Sequence, residues 1–175
     1  IETREELIVN TPEKYMGLTG VEVKTEMEAV SVDASAKTVT FANGETVSYD
    51  KLIVATGATP FVPNVAGTDK NGVFTMRTPD DAIGLRAYVD ENKCHSAVVV
   101  GAGFIGLEIA ENLLAKGLKV TVVDMADQVM PGLFDTEMAD YIRRHLQAKG
   151  IRVVTGAALE EILGDTKTIG VRTGV

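Results

Sequence analysis

The stretch Ala97-Val98-Val99-Val100-Gly101-Ala102-Gly103-Phe104-Ile105-Gly106-Leu107-Glu108 decides how this chain folds. A short apolar run enters Gly-x-Gly-x-x-Gly, and apolar residues then recur at helical spacing. That order is strand, tight turn, helix, the opening of a dinucleotide-binding βαβ unit. Gly101 permits the sharp turn off the strand. Gly103 has no side chain, so a pyrophosphate can approach the backbone. Gly106 lets the helix pack close to the strand. The free N–H groups and positive end of that helix favour an anion beside Ala102, Gly103, Phe104 and Ile105.

The motif gains its meaning from the residues on its C-terminal side. Leu118-Lys119-Val120-Thr121-Val122-Val123-Asp124 is a second apolar strand ending in an acid. Asp124 lies 23 positions beyond Gly101, near the offset of about 20 at which an acid meets a ribose hydroxyl. Ile105, Ile109, Leu113 and Leu114 mark one helical face between them, and Gly117 stands where a C-terminal cap belongs. An ordinary βα turn with an exposed Asp would need none of these coincidences.

The cofactor is a matter of charge. A neutral 2′-hydroxyl can donate to the Asp124 carboxylate, whereas a 2′-phosphate would meet like charge. Met125-Ala126-Asp127-Gln128 supplies no Arg or Lys to neutralise it. The sequence predicts NADH over NADPH, with Asp124→Ala narrowing the preference.

The 175 residues are 45% hydrophobic and 24% charged, with a net charge of −8. That balance suits a soluble globular chain of one domain or two small ones. The acidic surplus argues against a general nucleic-acid or anionic-membrane partner. No apolar run approaches a membrane span. A single cysteine forms no internal disulfide, which makes a cytoplasmic setting the default.

From the start, Thr11-Pro12-Glu13-Lys14 predicts a short helix ended by Gly20. From Val21 the period changes to two. A strand is expected through Val30 and Val32, followed by strands at 38–41 and 46–49, with Asn43-Gly44 as a type I′ hairpin turn. Leu52-Ile53-Val54-Ala55 is continuously apolar and reads as a buried strand. Residues 58–75, with Pro60, Pro63 and Gly67, read as a connector. Thr78-Pro79-Asp80-Asp81 opens a helix using Ile83, Leu85 and Val89 as apolar residues. After Asp124 come a loop with Pro131-Gly132, a helix presenting Met138, Ala139, Ile142 and Leu146, a parallel strand at 151–155, and the start of a hairpin at 160–172. The fold class is α/β: a Rossmann-like three-layer unit with a parallel sheet, plus an antiparallel β-meander.

These residues together resemble the FAD-dependent pyridine nucleotide-disulfide oxidoreductases, in particular the single-cysteine branch of coenzyme A-disulfide reductases, NADH oxidases and NADH peroxidases. Three blocks carry the resemblance. Tyr49-Asp50-Lys51-Leu52-Ile53-Val54-Ala55-Thr56-Gly57-Ala58-Thr59-Pro60 is similar to the family's second flavin-contacting motif. Val99 to Glu108 with Asp124 is similar to its NAD motif, and Asn10-Thr11-Pro12-Glu13-Lys14-Tyr15 to the segment after the redox cysteine. The resemblance implies a partial FAD-binding domain at 1–59 and an NAD-binding domain at 60–175, truncated in its C-terminal meander. Gly101, Gly103 and Gly106 would hold the NAD pyrophosphate. Phe104 matches an aromatic that covers the flavin, against the alternative of local packing at a helix start. Glu108 matches an acid facing the nicotinamide, against a solvated helix residue. Ala55, Thr56 and Gly57 would sit at the FAD, as would Glu28 and Ala29 through backbone.

The resemblance further implies hydride transfer from NADH to FAD and on to a redox cysteine reducing a disulfide (such as coenzyme A disulfide), peroxide or oxygen, in a homodimeric parent. That cysteine would lie upstream of Ile1, so no catalytic residue is expected in this chain, which by itself should be inactive. Cys94 precedes the nucleotide strand, lacks the family's surrounding residues, and reads as a structural thiol. Two other readings remain open: a flavin-dependent NADH reductase of a small iron electron-transfer protein, and a non-catalytic NAD-binding or sensing module. His95 and His145 make no metal spacing, and Arg143-Arg144 is too short for a nucleic-acid patch.

Overall fold

In a computed structural model, residues 5–174 are described. The chain divides into two compact units, Ile1–Thr59 and Pro60–Val175.

The first unit contains a 3-10 turn at Glu5–Leu7, helix α1 (Pro12–Thr19) and a three-stranded antiparallel meander of β1 (Ala29–Asp33), β2 (Thr38–Phe41) and β3 (Thr46–Ser48). Thr11 caps α1 by accepting the Lys14 N–H, and Gly20 ends it at φ +73°. The strand expected from Val21 begins only at Ala29, because Glu26 stands at φ +59° and breaks the extended run. The Asn43-Gly44 hairpin forms with a different turn. Gly44 has positive φ and Asn43 does not. The Gly44 N–H donates to the Phe41 carbonyl at 2.9 Å, and the Asn43 side chain takes the Glu45 N–H at 2.9 Å. This is a three-residue loop closed by a left-handed glycine, not type I′.

Leu52–Ala55 is also corrected: it forms no strand, and Ile53 and Val54 are 88% and 72% exposed. An apolar run becomes a strand only where a neighbour takes its N–H and C=O groups, and it pairs with none of the meander strands. No described residue of this unit is buried.

The second unit holds the core. Its elements are α2 (Pro79–Glu91), β4 (Ser96–Val100), α3 (Phe104–Ala115), β5 (Lys119–Val123), α4 (Thr136–Ala148), β6 (Arg152–Val154), β7 (Ala158–Leu163) and β8 (Gly170–Gly174). Strands β4, β5 and β6 form a parallel sheet in that order. Strands β7 and β8 form an antiparallel hairpin. Val120, Val122 and Val123 of the central strand are all buried, so alternation is lost, as a strand covered on both faces requires. Val99, Ala110, Leu113, Ala139 and Ile151 close around Val120 and Val122.

Two apolar residues depart from the expected faces. Ile105 and Met138 are exposed, while Ala110 and Leu113 on α3, and Ala139, Ile142 and Leu146 on α4, pack inward. Cys94 is half-buried against the same core.

Helix starts are fixed by side chains. Thr78 and Asp81 form a reciprocal capping box on α2. The Thr78 N–H, with the Thr78 hydroxyl and the Arg77 N–H, holds the Asp81 carboxyl below the usual carboxylate range. Its contribution is therefore present above the ordinary Asp pKa and fades as pH falls through the lowered value. Asp135 caps α4 by accepting the Met138 N–H at 2.8 Å. On α4 the Arg143 and Arg144 guanidiniums both donate to Asp140, so they form a helix-surface ion network. Among the described residues, no helix is long and apolar enough to cross a membrane, and no group of three or more His, Cys, Asp or Glu could hold a metal ion.

Candidate functional site: the carboxyl ends of β4 and β5

In a parallel sheet the strand carboxyl ends point toward one edge, and ligands of open α/β sheets bind there. At that edge β4 gives way to Gly101 at φ +108°, a conformation that favours glycine. The Gly101 N–H still reaches the Val123 carbonyl at 2.8 Å, one step beyond the ladder. Ala102 is fully buried. Its N–H donates to Asp124 Oδ2 at 2.6 Å, and its carbonyl accepts the Met130 N–H at 2.9 Å. Gly103 is the N-cap of α3, with ordinary extended backbone and no side-chain cap. The first-turn N–H groups of Phe104, Ile105 and Gly106 have no acceptor within their own helix, by helix geometry.

The motif glycines differ in how far the fold requires them. A Cβ on Gly106 would lie 1.9 Å from the Gly101 carbonyl oxygen and 3.4 Å from Val99 Cγ1. The helix touches the loop through Gly106, and a side chain fits between only if the backbone shifts. A Cβ on Gly103 would meet no neighbouring atom of the described residues within 4 Å. As the N-cap of α3, position 103 accepts glycine readily but does not demand it, and the bare backbone there leaves room for a pyrophosphate to lie against it. The chemistry of the loop therefore fits a dinucleotide.

Asp124 is half-buried at the end of β5. Its Oδ1 accepts the Ala126 N–H at 2.8 Å while Oδ2 holds Ala102. The main chain of Asp124 is fixed as well: its N–H donates to the Val154 carbonyl and its carbonyl accepts the Ala157 N–H, each at 2.9 Å. Phe104 is 64% exposed, and Glu108 is exposed one turn further along α3.

Thus the structure brings Gly101, Ala102, Gly103, Phe104, Ile105, Gly106 and Asp124 to one sheet edge, with Glu108 on the helix leading away. Glu28 and Ala29 lie at the start of β1, and Ala55, Thr56 and Gly57 in irregular chain beyond β3, all exposed and all in the first unit. Gly57 turns the chain at φ +77°. Sequence reasoning missed Ala126 and Met130. Met130 is buried in the left-handed region at φ +51°, a conformation its residue type does not signal and its bond to Ala102 helps to hold.

Residues 3–174 match the family described as pyridine nucleotide-disulphide oxidoreductase, and the chain belongs to that family. It is 38% identical over 171 residues to the NADH oxidase of Methanocaldococcus jannaschii, an alignment covering 95% of this chain and 38% of that protein. It superposes on reduced Bacillus anthracis CoADR-RHD with a TM-score of 0.87 and 34% identity, over 98% of this chain and 31% of that one. It superposes on the water-forming NADH oxidase of Lactobacillus brevis bound to NADH with a TM-score of 0.85 and 29% identity, over 99% and 39% of the chains. An engineered form of that oxidase with five substitutions is bound to NADPH, and gives a TM-score of 0.84 at 28% identity over the same shares. The chain thus spans well under half of the proteins it matches.

Proposed function

We propose that this chain is the NADH-binding part of a flavin-dependent oxidoreductase that passes hydride from NADH to FAD and on to a redox cysteine reducing a disulfide, peroxide or oxygen. The observation that carries it is the loop at Gly101–Gly106. One glycine there is demanded by backbone conformation and one by helix contact, while Gly103 faces a space that a pyrophosphate would fill. When bound, the nicotinamide supplies the hydride and the flavin takes it. The chain's own contribution is placement. Gly103 and the α3 N-terminus bind the pyrophosphate, Asp124 accepts from the ribose, and Phe104 and Glu108 line the path toward the nicotinamide. Glu28, Ala29, Ala55, Thr56 and Gly57 form one wall of the FAD site. Their exposed backbone, beside uncovered Ile53 and Val54, suits such a wall.

The preference for NADH has separate support. The substitutions in the NADPH-bound relative include a Gly to Ala, an Asp to Ala eighteen residues later, an arginine directly after that Asp, and a Pro to Arg seven residues beyond it. Gly106, Asp124 and Pro131 stand at those spacings here, and Met125-Ala126 after the acid carries no cation.

The test is unfolding of this chain with and without nucleotide. At a hundredfold excess over Kd, NADH should add about 2.7 kcal/mol of stability, and NADPH at the same concentration much less. No added stability with NADH overturns the reading, and equal gains with both nucleotides overturn the assigned preference.

A further inference from the structure

We infer that Asp124 is a positioning residue as well as a ribose acceptor: its carboxylate latches the glycine loop to the β5–α4 segment and so sets the shape of the pyrophosphate seat. This rests on the NADH reading for its functional half. Its structural half stands on the hydrogen bonds alone.

Ala102 is fully buried, so its peptide N–H cannot turn to water. Its partner is Asp124 Oδ2 at 2.6 Å. A buried N–H without a partner carries the full desolvation penalty, and a bond to a charged acceptor is among the stronger ones. The other oxygen holds the Ala126 N–H at 2.8 Å, which fixes the direction in which the chain leaves β5. Ala126 in turn accepts the Gly156 N–H at 2.7 Å, and Met130 reaches back to the Ala102 carbonyl. One carboxylate therefore ties the loop after β4 to the loop after β5, and that second loop is tied to the one after β6. A carboxylate has about four lone-pair sites, so two backbone donors still leave room for a ribose hydroxyl. Latching and recognition can operate together.

The two roles make different demands on side-chain length. A ribose hydroxyl needs a negative acceptor in the neighbourhood. The latch needs that acceptor one methylene from the backbone, where both amides can reach it. Asp124→Glu keeps the charge and loses the reach. Asp124→Asn keeps the reach, offers one carbonyl oxygen, and turns an NH₂ toward the other amide.

The experiment is amide hydrogen exchange on this chain, without nucleotide, followed by NADH and NADPH affinities. In Asp124→Glu, exchange at Ala102 and Ala126 should speed up about tenfold or more, while the Val122 amide in the core keeps its protection. NADH and NADPH affinities should fall together by a similar factor, leaving their ratio near that of the wild type. In Asp124→Asn, one of the two amides should lose protection and the other keep it, which provides the test if the Glu variant does not fold. Unchanged exchange at both amides overturns the latch. So does a uniform rise that includes Val122, which would mean only that the fold is weaker. Local acceleration with unaltered affinities overturns the claim that the latch shapes the seat. A wild-type chain that binds neither nucleotide defeats the NADH reading and the functional half, while the exchange comparison still decides the latch.

Discussion

Gly103→Ala is expected to unfold at essentially the wild-type midpoint and to lose most of the stabilisation that NADH confers. Two small effects on folding oppose each other. At an N-cap, glycine is preferred over alanine by roughly 0.5–1 kcal/mol. Replacing glycine where the backbone is already ordinary restores roughly 0.4–1 kcal/mol by narrowing the unfolded ensemble. Gly103 has φ −84° and ψ −174°, so the second term applies without strain. The added methyl meets no neighbouring atom of the described residues within 4 Å. Binding has no such cancellation, because the methyl occupies the place assigned to the pyrophosphate. A loss of about ten- to hundredfold in affinity, or roughly 1.4–2.8 kcal/mol, should appear as a reduced NADH-dependent midpoint shift. Retention of the full shift would mean that the pyrophosphate lies elsewhere.

Gly106→Ala should behave in the opposite way and destabilise the chain even without nucleotide. The new Cβ would sit 1.9 Å from the Gly101 carbonyl oxygen. That oxygen cannot retreat freely, since it shares a peptide plane with the Ala102 N–H, which is bound to Asp124 Oδ2 at 2.6 Å. Helix α3 has to move outward, which loosens Ala110 and Leu113 against Val99 and Val122. Overpacking of this kind costs roughly 1–3 kcal/mol. Denaturant unfolding should place the midpoint clearly below wild type with an unchanged slope. An unchanged midpoint would show that loop and helix part without cost, and would remove the packing argument for glycine at this position.

The parts of this fold that were legible in the sequence are those written in local chemistry. Caps at Thr11 and Thr78, glycines at Gly20 and Gly117, and the apolar runs of β4 and β5 each act on their own few residues. What was not legible depends on partners distant in sequence. Leu52–Ala55 has the composition of a buried strand, but pairing requires a neighbour. Asn43-Gly44 announces a hairpin, while the choice of turn rests on the register between β2 and β3. Ile105 fits its helical face by spacing, yet the core takes Ala110, whose small side chain admits closer packing, and of the face expected on α4 Ala139, Ile142 and Leu146 pack inward while Met138 does not. At the candidate site, spacing located the glycines and the acid. It could not disclose that the acid holds the loop, because that bond joins residues 22 positions apart. Nor could it disclose the left-handed Met130, whose strain is offset by a contact outside its own turn.

The meander has a consequence for behaviour in concentrated solution. Strand β1 lies at the edge of its sheet, and Val30 and Val32 are exposed along it. Such an edge is a template for recruiting another chain. Glu28 and Asp33 bracket it, charged residues placed where gatekeepers belong, and the surplus of eight negative charges sets every molecule against its neighbours. Like net charge of this kind opposes close approach of two chains at such an edge. Added salt shortens that repulsion to about 10 Å at 0.1 M, so the edge is guarded best at low ionic strength.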